Sequence, residues 1–182
     1  MYWEKKGPAN TEAVSKLAIQ RARELKINHI VVASNSGATA EQFFDQGLEI
    51  ICVTHHVGFM SPGDDEMPSE TRQKLSEKGV QILTTTHLMA GLDRALRIKF
   101  GGVYPCGDHC PDTAHAGPRG YSVCVEISGM ALDAGLIPYG REIIAVGGSG
   151  TGADTALVIT LAHSNNFFDT KIKEIICKPR EF

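Results

Sequence analysis

Runs of apolar, often β-branched residues recur along the chain without the alternation of a half-buried strand. They predict seven strands, at residues 29–34, 49–54, 80–84, 121–127, 142–146, 156–161 and 172–177. Because such runs are apolar on both faces, each strand is expected to be covered on both sides. The pattern therefore indicates a mostly parallel sheet that lies between two layers of helices.

Segments with helical spacing of apolar residues lie between these strands. The first helix is predicted to begin at Asn10 or Thr11, and the others cover residues 38–46, 68–78, 88–99 and 128–134. This order predicts an α/β fold, a three-layer α/β/α doubly wound sheet, as a single domain over residues 1–182. Only His163–Thr170 separates the last two strands. That connection is too short for a helical crossover, so an antiparallel edge strand is expected.

The charge balance narrows the possible partners. The 182 residues carry a formal net charge of −3 and contain no basic run, which argues against nucleic acid as the main partner. The apolar runs are too short to cross a bilayer, and the first residues lack the apolar core of a secretory signal. The sequence thus predicts a cytoplasmic protein without a membrane partner. Its five cysteines, an odd number, fit a reducing compartment.

After the strand predicted at residues 29–34, small hydroxyl residues and a glycine precede a segment with helical spacing of apolar residues. The short side chains are those of Ser34, Asn35, Ser36, Gly37 and Thr39. They let a ligand approach the backbone, and the amides that begin the next helix, at the positive end of its dipole, favour an anion such as phosphate. An ordinary strand-to-helix turn uses the same residue types, so both interpretations stay open.

A second loop, rich in glycine, follows the strand predicted at 142–146. Its candidate ligand-binding residues are Gly147, Gly148, Ser149, Gly150, Thr151 and Asp154. Glycines expose the backbone amides that a phosphate needs. The loop differs from a nucleoside-triphosphate loop because Ala153 and Asp154 stand where that motif has lysine and a hydroxyl residue, and its glycine spacing differs from the dinucleotide fingerprint. A flexible turn between strands is the alternative.

Both loops are expected at one edge of the sheet, because ligands of open α/β folds bind beyond the carboxyl ends of the strands. Thr54 and His55 follow the neighbouring strand, and they either face the ligand or hold the strand end by hydrogen bonds. Glu126 interrupts an apolar run. A buried carboxylate is costly without a partner, so we expect Glu126 to touch a ligand hydroxyl or a backbone amide. Phe59 and Met60 either cover a ligand ring or pack onto the surface.

A cysteine- and histidine-rich segment offers a further candidate site. Cys106, His109, Cys110 and His115 supply four nitrogen and sulfur ligands. Their spacing matches no common zinc motif, and the adjacent His109 and Cys110 would strain a tetrahedral centre. A lid near the ligand is therefore the favoured interpretation and no metal is predicted, with a metal site as the alternative.

Two stretches resemble the carboxy-terminal α/β domain of pyruvate kinase. They are residues 30–40, with a Ser-x-Ser-Gly-x-Thr turn, and the glycine-rich strand–loop–strand at 143–159. A wider similarity, through Asn10-Thr11-Glu12, Val125-Glu126-Ile127 and the segment 163–169, is to the stand-alone prokaryotic proteins named after that domain. The resemblance implies a three-layer fold in which the two loops face one another around a phosphorylated ligand.

The resemblance also implies candidate ligands. In pyruvate kinases the corresponding loops hold an allosteric sugar bisphosphate, whereas the stand-alone proteins resemble binders of flavin mononucleotide, FMN. Residues 147–155 contain no lysine, arginine or tryptophan, so a bisphosphate would be poorly neutralised, while one phosphate can be held by amides and hydroxyls. FMN is therefore the expected cofactor, with a flavin-dependent oxidoreductase as the activity it would allow. The alternative is a non-catalytic regulatory module that senses a sugar phosphate.

Two further expectations follow from the same resemblance. A chain of this length has no room for the catalytic barrel of pyruvate kinase, so no pyruvate kinase activity is expected. Pyruvate-kinase-type domains assemble through this region, and an exposed edge strand often pairs with another chain, so a homo-oligomer is also expected.

Overall fold

In the computed structural model, which describes residues 1–102 and 119–180, seven strands form one sheet. The strands are β1 (Tyr2–Trp3), β2 (His29–Ala33), β3 (Glu49–Val53), β4 (Gln81–Leu83), β5 (Glu142–Gly147), β6 (Thr155–Thr160) and β7 (Lys171–Pro179). Their order across the sheet is β1-β7-β6-β5-β2-β3-β4. Strands β5, β2, β3 and β4 are parallel neighbours, so their carboxyl ends meet at one edge.

The connection between β6 and β7 holds only a 3-10 turn, Ser164–Asp169, and the two strands pair antiparallel as predicted. The antiparallel strand is β6, however, and it lies inside the edge, between β5 and β7. The sheet extends further because β1 pairs parallel with β7. The amino group of Met1 donates to the carbonyl of Ile176 at 2.6 Å, which helps to hold this short edge strand. Strand β1 has only two residues, too few to show the periodicity from which a strand is predicted.

The described helices are α1 (Thr11–Leu25), α2 (Ser69–Glu77), α3 (Leu92–Phe100) and α4 (Arg119–Asp133). Helices α1 and α2 cover one face of the sheet, where Val14, Ala18 and Leu75 are fully buried. Helix α4 covers the opposite face, where Val125 and Ala131 are buried. The three-layer α/β/α architecture is therefore confirmed. No helix within residues 1–102 and 119–180 is long and apolar enough to cross a bilayer.

The strand predicted at 121–127 and the helix predicted at 128–134 are wrong as separate elements, because both belong to α4. The segment is β-branched and aromatic at its start, which favours a strand. The apolar run continues to Leu132, however, and α4 is buried on most of its surface. A helix that is buried on most of its surface shows only weak helical periodicity over a short window, so its length was the better guide.

The helix predicted at 38–46 is also wrong, because the chain there forms only a 3-10 turn, Ala40–Phe43. Its buried residues are Ala40 and Phe43, which are three positions apart and so lie on one side of a 3-10 turn. A turn of four residues carries little of a helix dipole, so any anion at the preceding loop depends on individual amides. The helix predicted at 88–99 begins later, at Leu92.

Candidate functional site

A cleft opens at the carboxyl ends of β2, β3 and β5. Its volume is about 470 Å³, which lies in the range of small-molecule sites, about 300–1,000 Å³. Four loops, those after β2, β3, β4 and β5, and one helix line it. The loop residues include Ser34, Asn35, Ser36, Thr39, Thr54, His55, Phe59, Glu66, His87, Gly148, Gly150, Thr151 and Gly152. Helix α4 contributes Arg119, Val123, Glu126, Ile127 and Met130, whose spacing places them on one helical face.

The loop after β2 is shaped by its own side chains. The hydroxyl of Ser34 is buried and accepts a hydrogen bond from the amide of Thr39 at 3.2 Å, which closes the loop. Gly37 has φ +88°, and a Cβ atom there would lie 2.5 Å from the side chain of Thr71 on α2. Among the hydrogen bonds of the described residues, none uses the amides of Asn35 or Ser36 as donors. These amides are therefore available to a ligand at the cleft.

Asp154 organises the loop after β5 from behind. Its carboxylate is fully buried and accepts hydrogen bonds from the amides of Gly7 (3.0 Å) and Ser149 (3.1 Å) and from the Thr155 hydroxyl (2.8 Å). Asp154 therefore shapes the loop and is not among the residues that line the cleft, and its role in ligand binding stays a prediction. The amides of Gly150 and Thr151 donate to no acceptor within residues 1–102 and 119–180.

The amino-terminal segment braces the same loop. The hydroxyl of Thr11 accepts from the amide of Ala153 at 3.0 Å, and the indole of Trp3 donates to the carbonyl of Asp154 at 2.8 Å. The loop itself is tight, because a Cβ atom on Gly148 would lie 2.2 Å from the carbonyl oxygen of Gly152. Its conformation is therefore fixed from two sides before any ligand binds.

The structure brings together most of the residues that the sequence proposed for the site. Those that line the cleft are Ser34, Asn35, Ser36, Thr39, Thr54, His55, Glu126, Gly148, Gly150 and Thr151. The other residues that the sequence proposed are not part of the lining; they are Gly37, Gly147, Ser149 and Asp154. Gly147 permits close packing, because a Cβ atom there would lie 2.9 Å from the carbonyl oxygen of Gly120 at the start of α4. In the described part of the chain, the Ser149 hydroxyl is the buried side-chain oxygen without a hydrogen-bond partner.

Asn35 and His55 join the first loop to the loop after β3. The carbonyl oxygen of the Asn35 side chain accepts from the His55 amide at 3.0 Å, so its amino group faces His55 Nε2 at 3.1 Å. An amino group only donates, which makes Nε2 the acceptor and places the ring proton on Nδ1. That atom lies 2.6 Å from a carboxylate oxygen of Glu66. The contacts thus fix the tautomer of His55. Thr54 is also held, 2.7 Å from the Thr84 hydroxyl.

An aromatic wall stands beside this network. The rings of His55 and Phe59 are stacked with centroids 3.7 Å apart, and His87 stacks on Phe59 at 5.4 Å. Burial is the main cause that lowers the pKa of His87 to about 4, so its imidazole is neutral at pH 7. Met60 is 68% exposed and does not line the cleft. For Phe59 and Met60, covering a ligand ring and packing on the surface were both left open, and Phe59 is the one that lines the cleft.

Glu126 presents one carboxylate oxygen to this end of the cleft. Its Oε1 accepts a hydrogen bond from the amide of Met89 at 2.8 Å, as expected for a carboxylate in an apolar surrounding. Its Oε2 lies 4.0 Å from Nδ1 of His87, which is too long for a hydrogen bond. Burial raises the pKa of Glu126, partly offset by the Met89 amide and by Arg94.

The sequence interpretation missed Glu66, His87 and the α4 face as parts of the lining. The recurrence of Arg119, Val123, Glu126 and Met130 at helical spacing was the available signal. Glu66 and His87 come from irregular segments, where no pattern predicts direction. The candidate metal or lid residues Cys106, His109, Cys110 and His115 lie outside the described residues. Within residues 1–102 and 119–180, no group of three or more metal-ligating side chains is present.

The fold and the cleft define a class of protein, an α/β domain with two amide-bearing loops at the edge of its sheet. Residues 12–159 match the family model "Pyruvate kinase, alpha/beta domain", and the chain belongs to this family. Among solved structures it is similar to Cryptosporidium parvum pyruvate kinase in complex with ADP, with 18% identity and a TM-score of 0.42. The match covers 92% of this chain and 24% of that one. The chain thus spans about a quarter of the length of that pyruvate kinase.

Proposed function

We propose that the chain binds a ligand with a single phosphate group, FMN, in the cleft between the loops 34–39 and 147–154. The observation that carries the proposal is the convergence on one cleft of two loops whose amides have no acceptor among the described residues. Backbone amides in tight loops form a fixed site for an anion, because their dipoles are already oriented. The phosphate of FMN would lie against Asn35, Ser36, Gly150 and Thr151.

The charge around these loops suits one phosphate. Arg119 lines the cleft at the start of α4, which brings the basic residue that neither loop contains. The carboxylates of Glu66 and Glu126 line the same cleft. Since two carboxylates accompany one guanidinium, a ligand with two phosphates would face uncompensated repulsion.

The remaining lining fits a flat aromatic ring. Val123, Ile127 and Met130 form an apolar strip on α4, while Phe59 and the neutral ring of His87 supply an aromatic surface. Apolar and aromatic walls with few polar groups are typical of cofactor sites. An isoalloxazine ring between the strip and the aromatic surface would be shielded from water on both sides. The residues present therefore fit FMN.

A bound flavin would supply electron-transfer chemistry, so the proposal allows a flavin-dependent oxidoreductase. The chain's own part would be to hold the phosphate through the loop amides and to exclude water through the strip on α4. His55 would keep its ring oriented by Asn35 and Glu66, with the proton on Nδ1.

The visible spectrum of the purified chain tests the proposal. We expect flavin absorption, or its appearance after reconstitution with FMN, and release of FMN on heating. The variant Ser36→Asp places a carboxylate at the exposed Ser36 of the first loop and should abolish FMN binding. Ser76→Asp, on the exposed surface of α2, is the matched control and should bind FMN as the wild type does. A colourless wild-type chain that binds no added FMN would refute the proposal.

Family membership favours a second candidate, a regulatory module that senses a phosphorylated metabolite without catalysis. A sugar phosphate would then use the same two loops and would raise the melting temperature through binding to the folded state. No shift across a panel of sugar phosphates would contradict it. Homo-oligomer formation and a cytoplasmic location stay predictions, which light scattering and cell fractionation would test.

A further inference from the structure

Helix α4 connects the two ends of the cleft. Its first turn abuts the loop after β5, because a Cβ atom on Gly120 would lie 2.8 Å from a carboxylate oxygen of Asp154. Glu126 lies on the same helix, seven residues beyond Arg119. At a rise of about 1.5 Å per residue, the two side chains leave the helix about 10 Å apart along its axis. The carboxylate therefore stands at the end of the cleft remote from the proposed phosphate.

The charged side chains that line the cleft near Glu126 are mainly negative. Glu126 and Glu66 both line the cleft, and Glu66 is held by His55 at 2.6 Å. Two histidines line this end, and the ring of His87, whose pKa is lowered, carries no charge at pH 7. Arg94 on α3 offsets part of the Glu126 charge, but it is not among the residues that line the cleft.

The two carboxylate oxygens of Glu126 differ in their contacts. Because Oε1 is held by the Met89 amide at 2.8 Å, the carboxylate has a fixed orientation. Oε2 lies 4.0 Å from His87 Nδ1, too far for a hydrogen bond, so His87 leaves this oxygen able to accept from another donor. A carboxylate oxygen of this kind pairs with an N–H or O–H donor and repels an anion.

We propose that Glu126 is a specificity-determining residue, which accepts a hydrogen bond from an N–H or O–H group at the ligand end remote from the phosphate and excludes a second phosphate there. This inference rests on the proposed function, because it takes one phosphate to lie between the two loops. The ligand class it selects is a monophosphate whose other end carries a hydrogen-bond donor, as a flavin or a sugar monophosphate does. Sugar bisphosphates are rejected.

Calorimetric titration with FMN, fructose 6-phosphate and fructose 1,6-bisphosphate tests the inference at pH 8. The variant Glu126→Gln keeps an oxygen for the Met89 amide but turns the pocket-facing group into a donor. We expect FMN to bind roughly tenfold more weakly, because a charged hydrogen bond is lost. The bisphosphate should bind roughly tenfold more tightly, because the repulsion is removed.

Two variants serve as controls. Glu77→Gln removes a carboxylate from the exposed surface of α2, where Glu77 pairs with Gln73, and should leave all three affinities unchanged. Glu126→Asp keeps the charge on a shorter side chain, so it should weaken FMN binding while it still excludes the bisphosphate. Circular dichroism would show whether each variant is folded, and the aspartate variant carries the test if the glutamine variant is not.

The outcomes separate this inference from the proposed function. If the wild type binds FMN but Glu126→Gln keeps the wild-type preference for monophosphates, the inference is wrong and the proposed function stands. A wild type that binds fructose 6-phosphate but not FMN refutes FMN as the ligand. In that case, loss of the preference for the monophosphate over the bisphosphate in Glu126→Gln still supports the role of Glu126. Tighter wild-type binding of the bisphosphate than of the monophosphate overturns the inference, and binding of none of the three overturns both.

Discussion

Replacement of Gly152 by alanine tests whether the loop after β5 packs tightly against the amino-terminal segment. Gly152 has φ +71°, a conformation that costs an alanine roughly 1 kcal/mol. A Cβ atom there would also lie 2.5 Å from the Thr11 hydroxyl oxygen and 2.7 Å from Cα of Pro8. The Pro8 atom belongs to the backbone, so the contact cannot be relieved by a side-chain rotation and the backbone at Pro8 or Gly152 would have to shift.

The magnitude follows from these two contributions. Overpacking in a tight site costs about 1–3 kcal/mol, so Gly152→Ala should lower the free energy of unfolding by about 2–4 kcal/mol in total. Gly47→Ala is the matched control, because Gly47 has nearly the same φ, +70°, and a Cβ atom there would have no neighbour within 4 Å. The control should lose only the backbone contribution, about 1 kcal/mol.

Urea unfolding monitored by circular dichroism gives both free energies. In parallel, FMN titration should show weaker binding to Gly152→Ala, since the hydrogen bond from Ala153 to Thr11 is disturbed and the neighbouring amides move with it. Gly47→Ala should bind FMN as the wild type does. Equal destabilisation by the two substitutions would refute the close packing of Gly152 against Pro8 and Thr11.

Three further predictions concern buried groups. Asp154→Ala removes the acceptor of three hydrogen bonds and should lower the free energy of unfolding by about 3 kcal/mol or more. Asp154→Asn can still pair with Thr155, so urea unfolding should show a smaller loss for this variant. The pKa of His87 is about 4 in the fold and near 6.5 otherwise, so the unfolded chain binds more protons between these two pH values. The free energy of unfolding should therefore fall as the pH drops from 6.5 to 4. The variant His87→Gln should flatten that decline. Burial raises the pKa of Cys52 to about 12, that of Cys177 to about 11 and that of Cys124 well above its ordinary value. The double variant Cys106→Ser/Cys110→Ser keeps only these three of the five cysteines. Its thiols should therefore resist labelling at pH 8 until the protein is denatured. Rapid labelling of that folded variant would contradict the burial of these thiols.

The parallel strands and the facing loops were predictable because they depend on patterns that a sequence shows directly. Unbroken apolar runs indicated buried parallel strands, and parallel strands bring Ser34, Thr54 and Gly148 to one edge of the sheet. Helix α4 was not predictable in the same way, since residues 121–127 are rich in β-branched and apolar residues apart from Ser122 and Glu126. The error mattered for the site, because the face of α4 carries Arg119 and Glu126.

The role of Asp154 shows a second limit of sequence interpretation. An acidic residue in a glycine-rich loop is compatible with ligand contact and with support from behind, and the choice depends on distant partners. Here the distant partner is the amide of Gly7, 147 positions away in the chain. The direction of a side chain in an irregular loop follows from tertiary packing, which no local pattern encodes.

The central claim is that the two loops hold the phosphate of a mononucleotide, and a comparison of FMN with riboflavin by calorimetry tests it most directly. The two molecules share the ring and the ribityl chain and differ in the phosphate alone. If loop amides and Arg119 hold that group, FMN should bind at least about a hundredfold more tightly than riboflavin. Equal affinities for the two molecules would contradict the claim, as would the absence of FMN binding.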